Sequence, residues 1–302
     1  MIATWFLAAV LQQGVNVSHS APEIYVEGEP YTVSVELAVQ GANAASIPMW
    51  MLTPAAFAYN GRPVSKRTDT QPLVLQSGAR LRLSYDLAPS IRAAENFDKK
   101  NFRLAFGDGG SAAPKEVRFF EAAEKGIDFM TLPEAQLADY QVVMRTSRGI
   151  IWLEMWPDVA PGHVRNFLDL CYTGFYDGTI FHRVIPTFMV QGGRGKPGMQ
   201  APRTLKAEFS DREHTPGVLS AARLPGDVNS ASSEFFIVHG TSPHLNGEYS
   251  AFGKVVEGMD VVDRIAQSGN PDFGPGDPRA SKPPADQVIE KAIVVKTPRG
   301  RQ

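Results

Sequence analysis

Gly178-Thr179-Ile180-Phe181-His182-Arg183-Val184-Ile185-Pro186-Thr187-Phe188-Met189-Val190-Gln191-Gly192-Gly193 is the stretch on which the fold and the chemistry turn. It sets one guanidinium, Arg183, and one amide, Gln191, among Phe181, Phe188 and Met189. It holds no nucleophile, no paired carboxylate and no metal-ligand spacing. Side chains of this kind can hold and polarise a substrate but cannot easily break a covalent bond. The chemistry is therefore limited to a conformational step or to binding.

Composition sets the outer bounds. A chain of 302 residues suggests about two domains. Hydrophobic residues make up 43% and charged ones 21%, as in ordinary globular proteins. Thirty basic residues face thirty-two acidic ones, which gives no field for nucleic acid or anionic lipid. The one cysteine, Cys171, excludes an internal disulfide. It falls at helical spacing from Val164, Phe167 and Leu168 and reads as a small buried hydrophobe.

The apolar run 2–11 is too short to span a bilayer. Small residues follow at Ser18, Ser20 and Ala21, so residues 1–21 read as a secretory leader cut near Ser20 or Ala21. The n-region lacks Lys and Arg. Export to a periplasm or medium is the expectation; a chain that keeps this segment would be cytoplasmic.

Residues 22–125 alternate with period two. Tyr31, Val33, Val35, Leu37 and Val39 form one series, and Leu81, Leu83, Tyr85 and Leu87 another. Phe102, Leu104 and Phe106, then Val117 and Phe119, complete the pattern. Such alternation marks strands with one buried face. Turn signals at Gly28, Asn60-Gly61, Ser77-Gly78 and Gly107-Asp108-Gly109-Gly110 separate them. A β-sandwich is expected, with Trp50 and Leu52 in its core.

Residues 126–138 read as a short ordered linker, with Thr131 and Glu134 spaced as a capping box. A hairpin at Ser147-Arg148-Gly149 follows. A helix starts at Pro161 and ends at Gly174. The motif Gly193-x-Gly195-x-x-Gly198 lacks a following helix and is not a dinucleotide site. Residues 261–266 read as a second helix and 288–296 as a last strand. His239 and His244 have no carboxylate or cysteine framing for a metal. No cofactor-binding pattern appears.

Phe181-His182-Arg183-Val184-Ile185-Pro186, Phe188-Met189 and Gln191-Gly192-Gly193 resemble the signature of the cyclophilins, which are peptidyl-prolyl cis-trans isomerases. Gly217-Val218-Leu219-Ser220-Ala221-Ala222, Ser232-Ser233-Glu234-Phe235-Phe236-Ile237-Val238 and Ala251-Phe252-Gly253-Lys254 resemble further blocks of that family. The resemblance covers 139–297. It implies a mainly β fold, an eight-stranded antiparallel barrel with two helices, here preceded by the β-sandwich. It also implies proline-containing polypeptides as partners; the charge balance, the His spacing and the short apolar run separately point to no nucleic acid, no metal and no transmembrane segment.

The resemblance makes Arg183 and Gln191 the catalytic candidates. It puts Phe188, Met189, Phe236 and Leu245 around the proline ring, and the Ala222 backbone and Arg223 side chain along the peptide groove. Glu234 and Tyr249 complete the substrate-binding set. By alternation His182 points away from Arg183 and reads as structural.

Four positions depart from the family's usual residues. Arg223 stands for Asn, Glu234 for Gln, His244 for the Trp of cyclosporin-sensitive members, and Tyr249 for the His of eukaryotic ones. The resemblance therefore does not extend to tight cyclosporin binding. Glu234 either pairs with Arg183 or Arg223 and keeps the guanidinium aimed, or pulls it off target. Activity is expected, reduced in the second case. The alternative is a proline-peptide-binding chaperone module without catalysis.

Overall fold

Period-two patterns become strands, because alternate side chains leave opposite faces of a pleated backbone. The computed structural model describes residues 10–11, 13–67, 71–106, 114–269, 281–283 and 285–297. Contacts divide the chain into two units, Met1–Ala122 and Ala123–Gln302.

The first unit contains β1 (Val15–Ser20), β2 (Ile24–Val26), β3 (Thr32–Val39), β4 (Ala45–Ile47) and β5 (Phe57–Tyr59). It continues with β6 (Arg62–Pro63), β7 (Leu73–Leu75), β8 (Arg80–Asp86), a short helix α1 (Ala88–Arg92), β9 (Phe102–Phe106) and β10 (Lys115–Phe120). It forms sheets of order β1-β3-β8 and β2-β10-β9-β5-β6 and a separate small β4-β7 pair. Val33, Val35 and Leu37 from the first sheet share one core with Phe57, Tyr59, Phe102, Leu104 and Val117 from the second. Trp50 is buried in it and Leu52 packs on it. Asn60 and Gly61 both take positive φ, 47° and 81°, as the tight β5–β6 turn requires. The expected turn at Gly107–Gly110 lies outside the described residues.

Val15–Ser20, placed in the leader by the sequence, forms β1. It pairs with β3 through Val15↔Val39 to Ser20↔Ser34, and Val15 is buried. A cut near Ser20 or Ala21 would remove this strand.

The second unit opens with α2 (Glu134–Leu137), β11 (Tyr140–Thr146), β12 (Gly149–Met155) and α3 (Pro161–Tyr172). Then come β13 (Thr179–Ile180), β14 (Arg183–Ile185), β15 (Met189–Gly192), β16 (Val218–Ala221), β17 (Phe235–Val238), β18 (Ala251–Glu257), α4 (Met259–Ala266) and β19 (Val288–Lys296). Their antiparallel sheet runs β13-β19-β11-β12-β18-β16-β17-β15-β14. Its two ends are parts of one run, since only Phe181 and His182 separate β13 from β14. That run pairs with β19 at its start and β15 at its end, which closes the barrel. Counted as one strand, it makes the eight that the resemblance implies.

Helix α3 has Pro161 in its first turn, where a missing N–H costs nothing. It ends in a Schellman motif: Phe175 N–H donates to Leu170 O, Gly174 N–H donates to Cys171 O, and Gly174 sits at φ 73°. Cys171 is buried, and burial pushes its thiol pKa well up. Helices α3 and α4 pack on the sheet, α3 against β18 and β19, α4 against β12, β14 and β15.

Residues 126–138, expected as a linker, are held to this unit. Phe129 is fully buried in the barrel's core cluster, edge-on to Tyr140 and Tyr172 at 5.1 and 5.4 Å. Arg165 donates to the carbonyls of Phe129 and Leu132. The capping box does not form. Pro133 is the residue before α2, and the Thr131 hydroxyl donates to Asp128 Oδ2 at 2.9 Å instead. Among the described residues, no helix is long and apolar enough to cross a membrane.

Candidate active site

Alternation sorts the barrel strands into two faces. Val184, Val190, Leu219, Phe235 and Ile237 point inward and join the barrel core. Met189, Val218, Phe236, Val238 and Leu245 form a separate apolar cluster outside it, with Phe188, Ala222 and Tyr249 packed alongside. The register places Arg183 opposite Gln191 and Gln191 opposite Phe236, so one row across β14, β15 and β17 carries all three. A cleft opens over this row, lined by Arg183, Phe188, Met189, Gln191, Ala222, Arg223, Phe236, Leu245 and Tyr249. Of the sequence-derived candidates, Glu234 alone lies behind the lining rather than in it.

Glu234 does not pair with Arg183 or Arg223. Its Oε2 accepts from Gln191 Nε2 at 2.8 Å and its Oε1 accepts from Arg194 Nε at 2.9 Å. His182 Nε2 stands 3.3 Å from Oε2, at ion-pair distance but without hydrogen-bond alignment. His182 therefore points away from Arg183 but toward the carboxylate beneath the site. Burial pushes the Glu234 carboxyl up, and His182 and Arg194 outweigh that effect and hold it at about 2. A carboxylate can only accept, so it fixes the Gln191 amide with Nε2 inward. The Gln191 Oε1 is thereby turned to Arg183, whose NH1 donates to it at 3.2 Å. Negative charge reaches the guanidinium through one intervening amide.

The backbone that carries Glu234 is held from below. Asn166 Nδ2 donates to Ser232 O at 2.8 Å, and the buried Tyr176 hydroxyl donates to Ser233 O at 2.9 Å. Gly193 leaves room for that carbonyl, since a Cβ there would stand 2.4 Å from Ser233 O. Ala222 N–H donates to Glu234 O at 2.9 Å, which ties the cleft wall to the segment carrying Glu234.

At the far edge, Arg223 stacks over Tyr249 at 4.6 Å and donates to Glu248 O at 3.1 Å. Tyr249 stands edge-on to Phe236 at 5.7 Å. His214 stacks behind Phe236, its Nε2 3.1 Å from Ser220 Oγ, and burial lowers its pKa. His244 packs on Phe188 at 5.5 Å. Among the described residues, no cluster of His, Cys, Asp and Glu could hold a metal ion.

The family model for cyclophilin-type peptidyl-prolyl cis-trans isomerases matches residues 141–294, about half the chain and nearly all of the barrel. The chain belongs to the cyclophilins. A probable peptidyl-prolyl cis-trans isomerase of Brucella suis is 39% identical over 170 residues, covering 52% of this chain and 83% of that protein. Peptidyl-prolyl cis-trans isomerase B of Bacillus subtilis is 46% identical over 124 residues, covering 38% of this chain and 82% of that one. A solved cyclophilin from Cryptosporidium parvum aligns with 53% of this chain and 99% of its own, at 29% identity and a TM-score of 0.46.

Two cyclophilin-site residues escaped the sequence reading. Arg194 holds the Glu234 carboxylate, and Glu248 accepts from Arg223. Both are exposed charges in loops with no periodicity. The available hint was indirect: a half-buried acid at 234, just before β17, calls for a cation close by.

Proposed function

We propose that this cyclophilin accelerates rotation about Xaa-Pro bonds by aiming Arg183 at the prolyl nitrogen. The rotation barrier is about 18–20 kcal/mol, because amide resonance must be broken. In the twisted state the nitrogen becomes pyramidal and basic. A fixed donor then stabilises that state more than either planar one. A gain of about 10⁵-fold requires about 7 kcal/mol and no covalent intermediate. Arginine suits the role, since it is always charged and carries a rigid fork of donors.

The observation that carries the proposal is the hydrogen-bonded chain from Glu234 through Gln191 to Arg183. The carboxylate fixes the amide, and the amide oxygen takes one N–H of Arg183. The rest of the fork is left for a peptide. Phe188, Met189, Phe236 and Leu245 receive the proline ring, the Ala222 backbone and the Gln191 amide bind peptide backbone, and Tyr249, propped by Arg223, closes the edge. Gln191 has one of its two amide hydrogens free for a substrate carbonyl, the other being given to Glu234. Glu234 shapes the substrate site from behind.

The proposal extends to protein folding in an exported setting, with residues 22–125 as a docking unit for clients. If a leader is removed and the β1–β3 pairing is kept, the cut falls before Val15. Titration with a short Xaa-Pro peptide tests the binding part. NMR shifts are expected to concentrate at Phe188, Met189, Phe236, Leu245 and Tyr249. Shifts confined to other surfaces would overturn the assignment of this cleft.

A further inference from the structure

Pro186, Thr187 and Phe188 form the turn between β14 and β15, and this turn carries one wall of the cleft. Thr187 sits at φ 62°, a left-handed conformation that a β-branched residue rarely adopts. Something must hold it there. The turn itself supplies Phe188 N–H to Ile185 O at 3.0 Å and the Thr187 hydroxyl to Pro186 O at 2.6 Å. The rest comes from His239 and Gly240, just past β17. Their N–H groups donate to Phe188 O at 2.8 and 3.2 Å. A Cβ on Gly240 would stand 1.9 Å from Thr187 O, so only glycine allows the approach.

The His239 ring completes the grip. Its Nδ1 accepts from Thr187 N–H at 2.9 Å, and its Nε2 lies 3.0 Å from Asp263 Oδ1 on α4. A backbone N–H can only donate, so Nδ1 bears no proton. The proton is therefore on Nε2 and points at Asp263. One imidazole thus links α4 to the strained turn, and the carboxylate fixes the tautomer that the turn needs.

We propose that His239 is a positioning residue for the isomerase site, locking Thr187 in its left-handed conformation and so holding Phe188 against the proline pocket, with Asp263 setting the tautomer of His239. It touches no substrate. The inference rests on the isomerase reading of the cleft. Phe188 packs on the proline ring in planar and twisted states alike, so loosening it weakens binding without removing the Arg183 step.

The test uses the full chain with His239→Ala, His239→Asn, Asp263→Ala and Thr187→Gly, alone and with His239→Ala. Peptide Kd, kcat and amide hydrogen exchange at Thr187 are measured by NMR. His239→Ala is expected to weaken peptide binding about fivefold, the worth of one hydrogen bond, with kcat within about twofold. Thr187 exchange should speed up. Asp263→Ala should move the same way by less. His239→Asn keeps an acceptor where Nδ1 stands and should recover much of the loss. Thr187→Gly removes the need for the lock, so adding His239→Ala to it should cost almost nothing.

Unchanged Thr187 exchange and unchanged Kd in His239→Ala would overturn the proposal. So would a loss that neither His239→Asn nor Thr187→Gly relieves, because His239 would then serve the fold at large. A wild type that binds peptide without accelerating exchange would refute the isomerase reading alone, since Kd and Thr187 protection still report on the lock.

Discussion

Replacing Glu234 by Gln tests the charge cluster beneath the site. The carboxylate takes hydrogen bonds from Gln191 and Arg194 and sits beside His182. An amide has one oxygen, so it can satisfy one of those donors and must turn its own NH₂ toward another. The folded pKa of about 2 lies below the 4.5 of the free side chain. Such a drop corresponds to about 3 kcal/mol of folding stability. Arg194 is 64% exposed, so solvent screening makes this an upper figure. Because the folded pKa is the lower one, the contribution is complete above about pH 4.5 and is lost as pH falls toward 2. Urea unfolding of the full chain, followed at resonances of the barrel unit from pH 6 to pH 2, gives the difference between wild type and Glu234→Gln. Other carboxylates cancel in that difference. The wild-type advantage should shrink by up to about 3 kcal/mol toward low pH. A difference that stays flat with pH would refute the claim that His182 and Arg194 stabilise the ionised form.

Two further predictions concern packing. Phe129→Ala should destabilise the barrel unit by about 3–5 kcal/mol while leaving unfolding of the first unit unchanged, as read by residue-resolved hydrogen exchange. No effect on the barrel would show that residues 126–138 are a linker after all. Gly193→Ala should cost more than the ~1 kcal/mol of a left-handed alanine, because its Cβ meets Ser233 O, and should shift the Glu234 and Gln191 resonances.

Local physics was legible in the sequence. Alternation found β3, β8, β9, β10 and β19, and Pro161 with Gly174 bounded α3. Arg183 and Gln191 were named through the family resemblance, and only the β14–β15 register shows that they stand opposite each other. Long-range pairing was not legible. Nothing near Glu234 in the chain says that its charge will meet Arg194, 40 residues earlier. Val15–Ser20 has a strand's pattern, but it follows an apolar run that looks like a leader, and only its partner β3 decides between the two. Phe129 is a lone aromatic without periodicity, so its burial follows from Tyr140 and Tyr172 rather than from its neighbours. Thr131 is not a cap because α2 begins at Glu134, which puts Pro133 rather than Thr131 in the cap position.

Cis-trans exchange of a short Xaa-Pro peptide, measured by NMR with wild type and Arg183→Ala side by side, tests the role of Arg183 most directly. Wild type should accelerate exchange, and the variant should lose about 10²–10³-fold of that rate, the worth of one aimed transition-state donor. Rapid exchange that survives in Arg183→Ala would contradict the mechanism while leaving the cyclophilin fold untouched.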